Sequence, residues 1–302
     1  MKHGFIAIDK PEGISSAKVV DRIKKKWNIK KIGHTGTLDP FATGLLLCGI
    51  NKGTKISRFF LGGTKEYTAV IHLGIETDTL DLTGKIVKKS SKIQIKSVSQ
   101  KKIVDTLNNF IGHQLQEPPI YSALKHNGQP LYRLARQGKA IKKPPRDIQI
   151  FSINLIKTNM PFIKIHVHCS SGTYIRSLAK DIGKKLGCGG HLSSLRRTNL
   201  NNFSVTNALT LNTLEKMNAK KAREHIISMT DILRFMPMVY ANENLVEKIK
   251  FGRKIKLNND IKIPKESEKS FIGIVNIKKE LIAVLEFDKQ HGRFNYCCVL
   301  LG

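Results

Sequence analysis

Apolar and polar positions recur with changing period along this chain, and the changes mark its elements. The run Phe5-Ile6-Ala7-Ile8 predicts a short strand, stopped by the turn residues Lys10-Pro11-Glu12-Gly13. Ser15 or Ser16 is placed to cap a helix reaching about Trp27, with Val19, Val20, Ile23 and Trp27 on one face. Residues 33–40 form a glycine-punctuated loop, and an apolar segment follows over residues 45–50. Residues 67–73 alternate and predict a strand. Residues 74–84 are polar and carry Asp78 and Asp81, and residues 85–102 are basic with weak patterning. Helical spacing then runs to about Phe110, with Ile103, Val104, Leu107 and Phe110 expected inward.

Residues 148–156 and 162–167 predict two further strands. Residues 174–186 have helical spacing with Gly187 as C-cap, and residues 192–197 are expected to return to the sheet. A helix is expected from about Leu211 to His225. The character changes near Pro237. Residues 271–276 and 281–285 predict a hairpin across Lys278-Lys279-Glu280, so residues 240–302 read as a small β domain. The polar stretch 258–270 is expected to be an exposed loop. No internal repeat or low-complexity tract interrupts this order.

Charge changes the picture. The chain of 302 residues carries a formal charge of +29. So large an excess predicts a polyanionic partner, because Lys and Arg that neutralise phosphates release condensed counterions. Lys greatly outnumbers Arg, so part of the excess reflects composition rather than a binding footprint. A membrane surface is the rival partner, but no basic amphipathic helix and no membrane-spanning run stands out. The apolar run near the N-terminus is too short for a signal peptide, and the five cysteines lack framework spacing. A cytoplasmic protein with free thiols is expected. Residues 118–146 interleave Tyr121, Lys125, His126, Tyr132, Arg133, Arg136, Lys139, Lys142, Lys143 and Arg146 with five prolines. That mixture suits RNA, which takes phosphate contacts and stacking faces, and it equally suits a solvated loop with a short helix.

Familiar cofactor devices are absent. Residues 49–54 lack Walker A spacing, and no GxGxxG opens a helix. His166, His168 and Cys169 invite a metal reading, but no second pair has metal spacing, so no metal and no cofactor is expected. What remains is the stretch from Gly33 to Leu47. Asp39 is its one acidic residue, the only one between Asp21 and Glu66, with Lys30, Lys31, Lys52, Lys55, Arg58 and Lys65 on either side. Pro40 disfavours helix at Asp39. Asp39 either caps a turn before Pro40 or serves chemistry on an anionic substrate.

Gly33-His34-Thr35-Gly36-Thr37-Leu38-Asp39-Pro40 with Ala42-Thr43-Gly44 resembles the catalytic motif of the bacterial TruB family, the tRNA pseudouridine 55 synthases. Further motifs of that family match in order. They are Asp9-Lys10-Pro11 with Gly13 and Ser15-Ser16, Lys65-Glu66-Tyr67, and Thr77-Asp78-Thr79 with Asp81 and Gly84. Tyr121-Ser122-Ala123-Leu124-Lys125 and Ala135-Arg136-Gln137-Gly138 resemble the inserted RNA-gripping segment. Cys169-Ser170 with Gly172-Thr173-Tyr174-Ile175-Arg176, and Leu195-Arg196-Arg197, complete the set. The resemblance covers about Gly4 to Arg197, and the C-terminal part is similar to a PUA-like domain.

The resemblance implies an α+β pseudouridine-synthase catalytic domain over residues 1–235, with a mixed, largely antiparallel sheet and the gripping segment 118–146 inserted. It implies that Asp39 is the nucleophile, that Tyr67 contacts the target base and assists proton transfer, and that Arg176 pairs with Asp39. His34 would contact the disrupted RNA loop, and Tyr174 and the backbone at Leu195 would line the uracil pocket. Lys10, Asp81, Lys125 and Arg136 would add substrate contacts. The partner would be the T-arm stem-loop of tRNA, bound by a monomer without an obligate protein partner.

Chemistry is compatible with this. Isomerising uridine to pseudouridine exchanges an N–C bond for a C–C bond and consumes no carrier. A carboxylate can trap or stabilise the electron-poor ribose carbon, by attack or by elimination. The base must be flipped out of its loop, and an arginine beside Asp39 is expected to lower its pKa. Two rivals are a non-catalytic RNA-binding protein or tRNA chaperone, and the RNA-guided relative of box H/ACA particles.

Overall fold

The computed structural model describes residues 2–256, 261 and 271–301. Ten strands build its main sheet: β1 (Gly4–Lys10), β2 (Ile32–His34), β3 (Thr43–Ile50), β4 (Lys65–Leu73), β5 (Gly112–Gln116), β6 (Arg146–Asn159), β7 (Phe162–Cys169), β8 (Gly190–Leu200), β9 (Phe203–Ser204) and β10 (Leu209–Thr210). The order is β10-β1-β3-β8-β4-β7-β6-β5, with β2 beside β3 and β9 beside β8. The β1–β10 and β3–β8 pairs are parallel and the other pairs antiparallel, so the sheet is mixed and largely antiparallel as expected.

Sequence periodicity explains most of this. Along β4, Tyr67, Ala69, Ile71 and Leu73 are buried and the residues between them are only half-buried, the period-2 signature of a sheet with one covered face. Residues 45–50 read as an unbroken apolar run because both faces of β3 are covered. Leu46, Cys48 and Ile50 pack under helix α1 (Ser16–Lys26), whereas Leu45 and Leu47 face the C-terminal sheet. Ser15 caps α1, and its Val19, Val20 and Ile23 are buried. Helix α2 (Gln100–Asn108) and helix α3 (Ile175–Leu186) cover β4, β7 and β8. Gly187 ends α3 at φ 87°, the left-handed cap expected of it.

Several local expectations are corrected. Val104 is 38 % exposed, because α2 turns Ile103, Thr106 and Leu107 to the core instead. The helix expected over residues 211–225 breaks: Leu211–Lys216 ends at an extended Met217, and Asn218 caps a fresh turn, Ala219–Ala222, through the Lys221 N–H. The basic stretch 85–102 contains a strand, Ile86–Lys89, paired with Ile75–Thr77, and a helix, Lys92–Lys96, closed by a capping box at Ser91. The loop expected over 258–270 lies outside the described residues apart from Ile261.

A second sheet contains β11 (Met238–Tyr240), β12 (Ile255–Lys256), β13 (Phe271–Val275), β14 (Leu281–Asp288) and β15 (Arg293–Val299), in the order β11-β13-β14-β15-β12. The expected hairpin is β13–β14. Val275, Leu281 and Val284 of this sheet join Phe5, Leu45 and Leu47 of the main sheet in one apolar cluster. Among the described residues, no helix is long and apolar enough to cross a membrane.

Candidate active site

Asp39 lies in the loop between β2 and β3, and its neighbours are tied down one by one. The Ser16 hydroxyl accepts from Leu38 N–H at 2.9 Å and donates to the Leu38 carbonyl at 3.1 Å. Ala42 N–H donates to the Asp39 carbonyl at 3.1 Å. The Pro40 carbonyl accepts from Gly13 N–H at 2.9 Å and from Lys10 Nζ at 3.1 Å. Lys10 is fully buried, and its ammonium also donates to the carbonyls of Pro11 at 2.8 Å and Ile14 at 2.7 Å. Three donors meet three acceptors, so the buried charge is satisfied. The structure therefore places Lys10 behind the loop, as its fastening.

The Asp39 carboxylate faces Arg176 on the first turn of α3. Arg176 Nε stands 2.9 Å from Asp39 Oδ2 as an ion pair, and Nη2 donates to Oδ1 at 3.2 Å, so the guanidinium faces both carboxylate oxygens. The guanidinium is itself anchored. Nη1 donates to the Thr79 carbonyl at 3.1 Å and to Asp81 Oδ2 at 3.4 Å, and Nη2 donates to the Tyr121 carbonyl at 2.8 Å. Asp81 is 4 % exposed, and its other oxygen accepts from the Thr79 hydroxyl, the Thr83 hydroxyl and Thr83 N–H. Asp81 thus stands behind Arg176. Asp39, solitary in sequence, shares its guanidinium with a second carboxylate in space.

Only the Asp39 side chain in this cluster remains open, at 33 % exposure against 6 % for Arg176 and 5 % for Asp81. Burial pushes its pKa above the ordinary carboxylate value, while Arg176, the largest opposing influence, pulls it down. The expected lowering by arginine is present, but desolvation outweighs it, which corrects the expectation from sequence. A carboxylate held against a guanidinium and still open on one side is suited to attack or to stabilise an electron-poor carbon.

Two phenols flank it. Tyr67 on β4 is 7 % exposed, and burial raises its pKa against the Arg197 guanidinium that faces it. Tyr174 precedes α3 and is half-buried; burial raises it too, against Ser122 and Arg146. Gln116, buried, receives Tyr174 N–H at 2.8 Å and donates to the Tyr174 carbonyl at 3.1 Å, so β5 holds the start of α3 from both sides. The Leu195 backbone is within reach of the Thr43 hydroxyl at 3.5 Å, beside the end of the Asp39 loop. His34 is half-buried; its Nδ1 is buried without a hydrogen-bond partner, and burial lowers its pKa.

Lys125 and Arg136 lie apart from this cluster, exposed on the inserted segment, where Arg136 sits over the Tyr132 ring at 5.9 Å. The root of that segment does reach the site through the Tyr121 carbonyl. The histidines suspected as ligands have other partners: His166 Nε2 stands 3.2 Å from Glu66, and His168 packs on Phe151. No group of three or more possible metal ligands occurs among the described residues.

Residues 24–175 match the model of the TruB family pseudouridylate synthase N-terminal domain, and residues 176–238 match that of the tRNA pseudouridylate synthase B C-terminal domain. This chain belongs to the TruB family of pseudouridylate synthases. A curated TruB relative, tRNA pseudouridine synthase B of Francisella philomiragia, is 42% identical over 95% of this chain and 96% of its own. The Francisella tularensis protein of the same name is 40% identical over 95% and 92%. Among solved structures, a Cbf5-Nop10-Gar1 complex aligns with TM-score 0.71 at 26% identity, covering 99% of this chain and 85% of the other. An H/ACA RNP bound to a substrate RNA containing 2'-deoxyuridine also gives 0.71, at 24% identity and the same coverage. The TruB chain thus has the α+β fold expected of it.

Reading the TruB motifs from sequence left some residues without a task. Arg197 is 1 % exposed, the bulkiest fully buried side chain among the described residues; it donates to Gly36 in the Asp39 loop and is the register partner of Tyr67. Lys65 is also buried, donating to the Gly63 carbonyl at 2.7 Å. Gln116 is an ordinary polar residue in the sequence, with no pattern around it that marks its place. A signal existed for Arg197, which follows Leu195 on the inward face of β8, and likewise for the buried place of Lys10, which continues the inward series Ile6, Ile8 on β1.

Proposed function

We propose that this enzyme converts uridine 55 in the T-loop of tRNA to pseudouridine, acting as a cytoplasmic monomer without cofactor, guide RNA or protein partner. The observation that carries this reading is the partly open Asp39 carboxylate, clamped by Arg176 at 2.9 Å. The target uridine is flipped out of the loop, with unstacking offset by pocket and phosphate contacts. Asp39 then meets the electron-poor ribose C1′ as the N–C bond breaks. Tyr67 and Tyr174 hold the freed uracil while it turns to present C5; after the C–C bond forms, Tyr67 assists transfer of the C5 proton to water, and N1, released from the ribose, takes up a proton from water. His34 contacts the opened loop, and Lys125 and Arg136 on the inserted segment grip the T-arm. The names of the curated relatives and the +29 charge support a tRNA substrate.

The test is tritium release from C5-labelled uridine in a T-arm transcript. Wild type should turn over with no added metal, nucleotide or guide, and Asp39→Asn should not, while still binding RNA. Equal release by both would remove Asp39 from the mechanism. No release by wild type would remove the activity itself.

A further inference from the structure

Arg197 is a buried cation without a carboxylate partner among the described residues, which is costly unless the surroundings make use of it. Its place in the sheet is specific. β8 runs between β3 and β4, and Arg197 is the register partner of Gly44 on one side and of Tyr67 on the other. Gly44 takes φ 104°, and a Cβ there would collide with the Arg197 carbonyl, so the two backbones meet closely. A bulge follows Arg197 in β8, of the kind that re-aims a side chain. The side chain then spans the site. Nε donates to the Leu45 carbonyl at 2.7 Å, on β3 just past the Asp39 loop, and Nη2 donates to the Gly36 carbonyl at 3.1 Å, near the start of that loop. Nη1 lies against Gly36, and the guanidinium faces the Tyr67 phenol.

We propose that Arg197 is a positioning residue for the isomerisation, one guanidinium that fixes the spacing between the Asp39 loop and the Tyr67 hydroxyl. The proposal rests on the reaction assigned above. It explains why an arginine is kept inside the core where a methionine of similar bulk would carry no desolvation cost. Two of its planar donors hold one carbonyl in the loop and one on β3, and the guanidinium stands beside the phenol of its register partner on the neighbouring strand. A lysine carries its donors on one point, whereas the guanidinium spreads them along a rigid planar edge that spans the loop, β3 and β4 together. Arg197 is all but sealed from solvent, so it acts on the substrate through the groups it holds.

The experiment is a double-mutant cycle on the full chain with Arg197→Lys and Tyr67→Phe, reading single-turnover tritium release and RNA affinity by filter binding. Arg197→Lys should slow turnover between about tenfold and about a hundredfold with affinity within about twofold. In the Tyr67→Phe background the same change should cost much less, because the phenol it holds is already gone. Losses that multiply, or an affinity loss matching the rate loss, would overturn the proposal. Arg197→Gln is run beside it. If both variants unfold, the 15N resonances of the Arg197 guanidinium in wild type and Tyr67→Phe decide: a changed exchange rate supports the coupling and unchanged resonances refute it. Inactive wild type would count against the reaction, whereas active wild type with additive losses counts against Arg197 alone.

Discussion

Arg176 binds Asp39 and Asp81 with one guanidinium, Nε standing 2.9 Å from the first and Nη1 3.4 Å from the second. The two carboxylates differ in access, one open to a ligand and the other sealed. The sealed one, locked by Thr79 and Thr83, sets where the arginine sits and hence how the open one is held.

Asp81→Asn should therefore behave as a loss of alignment. The amide keeps the volume and leaves Arg176 with one anionic partner fewer. Single-turnover rate is expected to fall by roughly a hundredfold with little change in RNA affinity, since misplacement taxes the rate and not the grip. A drop in affinity of the same size, measured by filter binding, would contradict this.

The acid limb of the pH–rate profile reports the Asp39 carboxyl. Burial raises its pKa above the ordinary 3.8, so activity should be lost as pH falls through a value above that. Arg176 is the largest influence pulling the other way. Arg176→Gln should thus shift the limb to higher pH as well as lowering the plateau. A limb that stays in place would mean that the guanidinium does not set the ionisation of Asp39.

Stability should also respond to pH on the alkaline side. Burial lowers the pKa of Lys10 and of Lys65 from 10.5 to about 8. Between those values the unfolded chain binds more protons than the folded one, so folding stability rises with pH across that window. Urea midpoints at pH 8 and pH 10 should show the rise, and Lys10→Met should show less of it. Equal slopes in the two proteins would place the linkage elsewhere.

Grip on the T-arm should reside in the exposed lysines of the inserted segment. Neutralising Lys139 and Lys142 is expected to weaken binding and to reduce the slope of log affinity against log salt by roughly 0.7 to 0.9 for each phosphate no longer neutralised. Lys143 should matter less, because its ammonium already stands 3.1 Å from His126 Nδ1. An unchanged slope after the double substitution would move the footprint off this segment.

Much of this protein is legible in its sequence alone. The strands with one covered face alternate in sequence, and β4 is readable on that ground. The motif carrying Asp39 and the motif carrying Arg176 stand out, whereas their pairing is what the resemblance to the TruB family implies. Tasks are harder to read than places. Lys10 is an isolated basic residue in sequence, and only the three carbonyls around it show that it fastens a loop. The dominance of desolvation over Arg176 at Asp39 depends on packing from several separate segments, which no local pattern encodes. Val104 and the break at Met217 escape for simpler reasons. A one-position rotation of a short amphipathic helix is invisible to a broad stripe, and Asn218 competes with the helix interior by capping.

The apolar cluster joining Phe5, Leu45 and Leu47 to Val275, Leu281 and Val284 makes the tail module the underside of the catalytic body. Ending the chain near residue 235 would strip a greasy slab bare, directly beneath the strand that leaves the Asp39 loop. A polar side chain placed on that inner wall would loosen the floor under the Asp39 loop, whereas one on the outer rim would leave it untouched.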